Sequence, residues 1–188
     1  MAKTLSGVIW VSKFPTSASV EDLADPFKAD VKNFIAALKK AGAHVSIAAT
    51  KRPKERAFLM HYSYKVAKEH LDPAKVPEMA GVDIEWVHRD AKNNVNLPAS
   101  RTAAGMMVTG YEIAYAPALT SRHIEGNAID MHISWTSATL VIKDGAGQDV
   151  TIKSSPKSGG NTDLHAVGKS YGVVKLVKDP PHWSTDGH

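Results

Sequence analysis

Apolar residues recur at helical spacing through Phe27, Val31, Phe34, Ile35 and Leu38, which predicts a helix with one buried face. Asp25-Pro26 supplies a start, with Asp as cap and Pro in the first helical position. Lys39 and Lys40 suit the last turn, and Gly42 a left-handed stop. The period then changes. Val45, Ile47 and Ala49 alternate with polar or small residues, so His44–Thr50 reads as a strand, and Pro53 turns its end into a loop. A second helix is expected from about Lys54 to Glu69, with Asp72-Pro73 and Val76-Pro77 breaking the chain after it. Ile84–His88 reads as a short strand, and Ser100–Tyr111 as a helix with Ala103, Met107 and Tyr111 on one face.

Period two returns at Ala128–Ile133. It sets Ala128, Asp130 and His132 on one face and Ile129, Met131 and Ile133 on the other. Thr139–Lys143 and Asp149–Lys153 flank Asp144-Gly-Ala-Gly147 as a hairpin. Asn161 or Thr162 caps a helix to Ser170, Gly172 stops it, and Val173–Val177 returns as a strand that delivers the chain to Asp179. Helices come mainly early and strands dominate later, which predicts an α+β fold. It is read as one domain over residues 1–188, an antiparallel sheet with flanking helices. Residues 1–20 form an N-terminal arm with a short strand at Gly7–Val11. No repeat, low-complexity tract or separating linker is visible.

Composition narrows the partners. Of 188 residues, 43% are hydrophobic and 22% charged, the balance of an ordinary globular protein. No apolar run is long enough to span a bilayer. The first residues lack the sustained apolar stretch of a signal peptide, so synthesis in the cytoplasm without an export signal of its own is expected. There is no cysteine, which excludes disulfides and thiolate ligands. The net charge of +4 and pI near 9.2 favour a polyanion, nucleic acid or an anionic cell wall. No nucleic-acid reading motif is present, and aromatic content of 7% does not suggest stacking platforms, so nucleic acid is not expected as partner.

The chemistry concentrates in two segments. Ser121-Arg-His-Ile-Glu-Gly-Asn-Ala-Ile-Asp130 carries a histidine and a carboxylate on either side of a glycine. A second histidine stands in Asp179-Pro-Pro-His182-Trp183. Two histidines and one carboxylate are a common ligand set for a catalytic zinc whose fourth position is left to water. One zinc ion is therefore expected at His123, Asp130 and His182. Gly126 supplies the positive φ of a tight turn between the first two. In a polyproline geometry, with three residues per turn, Asp179 points to the side of His182, where a carboxylate serves as general base. His132 is weighed as support for Asp130 or as merely structural. His44, His61, His70, His165 and His188 have no partner logic.

These two motifs resemble those of the zinc D-Ala-D-Ala carboxypeptidase and L-Ala-D-Glu endopeptidase family. That group contains VanX- and VanY-type peptidases and phage endolysins, and is related in fold to the hedgehog signalling domain. The resemblance spans about residues 44–184. It implies zinc ligands at His123, Asp130 and His182, and an acidic base at Asp179, where many members carry glutamate. It implies an oxyanion-steadying arginine at Arg52, with Arg56 as rival, and a substrate-contacting or supporting role for Ser121. Trp86 and His88 are weighed as lining of a peptide cleft against plain strand residues, and Trp183 as a substrate contact against packing beside the metal. The implied activity is hydrolysis of a peptide bond in the peptidoglycan stem. An L-Ala-D-Glu endopeptidase of endolysin type comes first and a D-Ala-D-Ala carboxypeptidase or dipeptidase second. The protein would act as a monomer on the cell wall, in the periplasm or outside the cell, after delivery by a phage holin or a secretion device. A domain that keeps the zinc without catalysis and a basic nucleic-acid-binding protein are the competing classes.

Overall fold

A computed structural model of the chain describes residues 3–188, so the first two residues of the expected N-terminal arm lie outside it. In chain order the elements are β1 (Thr4–Leu5), α1 (Phe27–Lys40), β2 (His44–Ala49), α2 (Lys54–Lys68), β3 (Ile84–Glu85), α3 (Leu97–Gly110), α4 (Arg122–Glu125), β4 (Ala128–Ser134), β5 (Leu140–Lys143), β6 (Asp149–Ile152), α5 (Thr162–Ser170), β7 (Val174–Lys175) and β8 (His182–Ser184). Helices and predominantly antiparallel strands make this an α+β protein, as the sequence pattern implies. Its contacts gather into two units that alternate along the chain. One takes the described residues up to Pro15 together with Pro53–Thr120; the other takes Thr16–Arg52 and Ser121–His188.

The first unit is built on α2 and α3. Its core joins Phe58, Leu59 and Val66 to Ala104, Met107 and Tyr111, with Trp10 and Trp86 buried among them. β1 pairs with β3 in parallel, Thr4 opposite Ile84. The strand expected over Ile84–His88 stops after Glu85, because side chains take the next amides. Val87 N–H donates to the Glu85 carboxylate and His88 N–H to Ser100 Oγ. The strand expected at Gly7–Val11 is a 3-10 turn over Val8–Trp10, closed by Trp10 N–H on Gly7 C=O, and it buries the Trp10 indole. α3 starts earlier than the apolar pattern shows, since the Asn96 side chain caps Ala99 N–H and Pro98 sits in its first turn.

The second unit sets α1 against an antiparallel sheet of order β2-β4-β8-β7. The face of α1 buried there is Phe27, Val31, Phe34 and Leu38, the stripe that the spacing predicts. Asp25 is not its cap: Pro26 holds that position and Asp25 instead pairs with Lys28 at 3.5 Å. Gly42 takes the expected left-handed conformation, φ +87°. β4 alternates as read, with Ile129, Met131 and Ile133 in the core and Asp130 and His132 on the opposite face. The β5–β6 hairpin adds Leu140, Ile142 and Ile152 to the same core. α5 is capped by Asn161 Oδ1, which accepts from Asp163 and Leu164 N–H. It lies so close to Trp183 that a Cβ at Gly168 would stand 2.7 Å from the indole. Among the described residues no helix is long and apolar enough to cross a membrane.

Candidate metal centre

Three elements of the second unit deliver the ligand candidates. Ser121 opens α4, its hydroxyl accepting Ile124 N–H at 3.4 Å, and so seats His123 in a single helical turn. Gly126 ends that turn at φ +77°, with Ala24 N only 3.0 Å from where a Cβ would be. Any side chain there would be strained at that angle and would press on the Ala24 backbone. The chain then enters β4, whose pleat turns Asp130 away from the core. β8 pairs beside it with Asp130 opposite His182. The register of one strand pair thus brings together residues 52 positions apart.

Their donor atoms form a triangle. His123 Nε2 lies 3.2 Å from Asp130 Oδ1, His182 Nδ1 lies 3.2 Å from the same oxygen, and the two nitrogens are 3.2 Å apart. The imidazole rings meet at 75° with centroids 5.0 Å apart, so the nitrogens converge without stacking. Both histidine side chains are buried, whereas Asp130 keeps 21% of its side chain exposed and opens the group to solvent.

The outer ring nitrogens fix what the inner ones carry. His123 Nδ1 is 2.5 Å from Thr50 C=O, and His182 Nε2 is 3.1 Å from the main-chain oxygen of His188. Such an oxygen only accepts, so each outer nitrogen donates its hydrogen, and in the neutral ring the inner nitrogen is left with a bare lone pair. Two lone pairs and a carboxylate oxygen then face one another across 3.2 Å. That arrangement repels itself unless a proton or a cation enters it. Burial works against ionisation of Asp130, but hydrogen bonds and charge from the two imidazoles in their protonated form outweigh it and hold its carboxyl below the ordinary range. For His182, burial disfavours the cation, yet the Asp130 carboxylate and the His188 oxygen raise its pKa above the ordinary value.

This trio is a group able to hold a metal ion. Tetrahedral zinc with bonds of about 2.0–2.1 Å sets its donor atoms about 3.3–3.4 Å apart, close to the observed triangle. Two imidazoles and one carboxylate, with no thiolate, also suit zinc chemically.

Around the trio, Arg52 N–H donates to His123 C=O at 3.0 Å, which ties the end of the β2 loop to the ligand turn. Arg56 belongs to the first unit. It donates to Val11 C=O and lies over the Tyr111 ring, whose hydroxyl burial pushes up to about 12. Trp183 is fully buried against Phe34 and His165, so it braces the sheet from behind and has no surface left for a substrate. Trp86 is a core residue of the first unit, and His88 there faces Ser6 Oγ at 3.0 Å. His132 is exposed on β4. Asp179 is exposed, and the backbone between it and His182 differs from the expected one. Residues 179–182 are not an extended polyproline segment: His182 N–H closes a turn onto Asp179 C=O at 3.0 Å. The turn still keeps residue 179 near residue 182, since the ends of such a turn lie within about 7 Å.

Several supporting groups escaped the sequence reading. The Thr50 and His188 oxygens act through the main chain, which leaves no mark in side-chain patterns. Arg122 bridges Glu125 and Asp186, joining the His123 turn to the segment that reaches His188. Lys175 is buried inside the run Val173-Val-Lys-Leu-Val177, and a lone lysine among apolar strand residues is a signal that could have found it. A scan against protein-family models and a search of curated proteins return no match to this chain.

Proposed function

We propose that this protein is a zinc-dependent hydrolase that cleaves a peptide bond in the peptidoglycan stem. The observation that carries the metal chemistry is the triangle of His123, Asp130 and His182, with both histidine tautomers set by main-chain oxygens. The substrate class rests on the resemblance of Ser121–Asp130 and Asp179–Trp183 to the peptidoglycan peptidase motifs. The L-Ala-D-Glu bond is the first expectation and the D-Ala-D-Ala bond the second. The basic character of the chain is in keeping with an anionic wall as target.

In this reading His123, Asp130 and His182 hold the zinc. Zinc bound there supplies Lewis acidity toward a carbonyl and a water nucleophile. Asp179, exposed and three residues before the last ligand, takes the proton from the attacking water and passes it to the departing amine. Its carboxylate lies close enough for its charge to favour the cationic form of His182. Arg52, whose main chain is fastened to His123, steadies negative charge developing on the carbonyl oxygen. Ser121 supports the site by capping the His123 turn.

The test is digestion of purified peptidoglycan, with and without a chelator, followed by mass spectrometry of the new ends. New N-terminal D-Glu that disappears with chelator is the expected result. Release of free D-Ala would assign the second bond instead. A zinc-loaded protein that produces no new ends would refute the hydrolase reading and leave a non-catalytic zinc domain.

A further inference from the structure

A lysine is rarely buried unless its charge is answered, and Lys175 is only 8% exposed. Its ammonium is answered by main-chain oxygens. Nζ donates to Leu176 C=O at 2.5 Å, Asp179 C=O at 2.6 Å and His182 C=O at 3.0 Å. The three acceptors stand three residues apart, and each also receives one amide of the same loop. Asp179 N–H donates to Leu176 C=O, His182 N–H to Asp179 C=O and Leu176 N–H to His182 C=O. The loop is thus a closed ring of three peptide hydrogen bonds with an ammonium seated on its three oxygens.

Three acceptors match the three hydrogens of an ammonium, which the neutral amine, with two, could not satisfy. The planar fork of an arginine has the wrong shape for that seat. Two members of the ring carry the chemistry: His182 completes the ligand triangle, and Asp179 precedes it by one turn. The carbonyl oxygens would repel one another if they converged on an empty centre. We propose that Lys175 is a positioning residue for the metal centre, its ammonium organising the 176–182 ring so that His182 and Asp179 are presented together. This rests on the zinc reading given above.

The chain contains no cysteine, so Lys175→Cys introduces a unique thiol. Alkylation in denaturant with 2-bromoethylamine, then refolding, restores an ammonium on a side chain of lysine length. Alkylation with 1-iodopropane gives a neutral chain of the same length. Zinc affinity is read by chelator competition for wild type and both adducts, with circular dichroism to verify the fold. The aminoethyl adduct should bind within a few-fold of wild type. The propyl adduct should lose roughly 10–100-fold in affinity, the usual effect of removing an outer partner of a metal ligand. Equal affinity of the two adducts would overturn the proposal while leaving the zinc site intact. No zinc uptake by wild type would overturn the zinc reading itself. Should the propyl adduct not fold, nitrogen-15 NMR of the unmodified protein decides. A Lys175 ammonium signal protected from solvent exchange is expected, and one that exchanges like a surface lysine contradicts the ring.

Discussion

At the scale of single residues, the account separates those that hold the ion from those that use it. His123→Ala removes one corner of the triangle and leaves two donors, so zinc binding should be lost in chelator competition. Asp179→Asn removes the proton acceptor and its charge but none of the three ligand atoms. It should leave zinc affinity within a few-fold and lower kcat by roughly 10²–10⁴. Loss of both together would mean that Asp179 is structural. The protonation of His182 gives a further check. Its folded pKa is raised above the ordinary histidine value of about 6.5. In the metal-free protein its contribution to stability is therefore complete below about pH 6.5 and fades as pH rises through the higher folded value. Zinc competes with that same proton. Affinity measured at stepped pH should accordingly climb across this window and then level off. A flat profile would argue that His182 does not give up a proton to the ion. Much of this was legible in the sequence, because His123, Gly126, Asp130 and His182 announce themselves by type and spacing. The Thr50 and His188 oxygens that orient the rings do not, since they belong to the main chain and carry no side-chain signature.

At the scale of elements, the strongly periodic stretches were readable and the irregular ones were not. α1 and β4 declare their buried faces by spacing alone, and Asn161 and Gly42 mark helix ends by their own chemistry. Val8–Trp10 looked like a strand because its apolar residues are contiguous, but one buried indole and a three-residue hydrogen bond decide its shape. Residues 179–182 looked extended because proline favours it. Local hydrogen bonds and the Lys175 ammonium bend them into a ring instead. Two glycines show how the elements hold the site. Gly126→Ala would force a left-handed alanine against Ala24, and should cost about 1–3 kcal/mol in thermal unfolding while weakening zinc binding through His123. Gly168→Ala would press on Trp183 and the Val173 carbonyl, 2.7 and 2.8 Å from the new methyl. It should destabilise by about 1–3 kcal/mol. An unchanged melting temperature in either variant would mean that the backbone relaxes more easily than the packing implies.

At the scale of the whole molecule, the chain passes between its two units at residues 15–16, 52–53 and 120–121. None of these crossings is a composition-marked linker, which is why the division does not show in the sequence. Each unit has its own core, yet the ligand trio belongs to one of them, drawn from segments up to 59 residues apart. An ion that binds only the assembled trio stabilises the fold by mass action, by about 2.7 kcal/mol at a free concentration of 100 times its Kd. The protein should therefore melt higher with zinc than with chelator, and the difference should vanish in Asp130→Ala. The measurement that tests the central claim most directly is elemental analysis of the zinc-loaded, desalted protein beside its Asp130→Ala and His182→Ala variants. One zinc per chain in wild type, with little or none retained by either variant, is the expected result. Failure of the wild type to retain zinc, or equal retention by all three proteins, would contradict it.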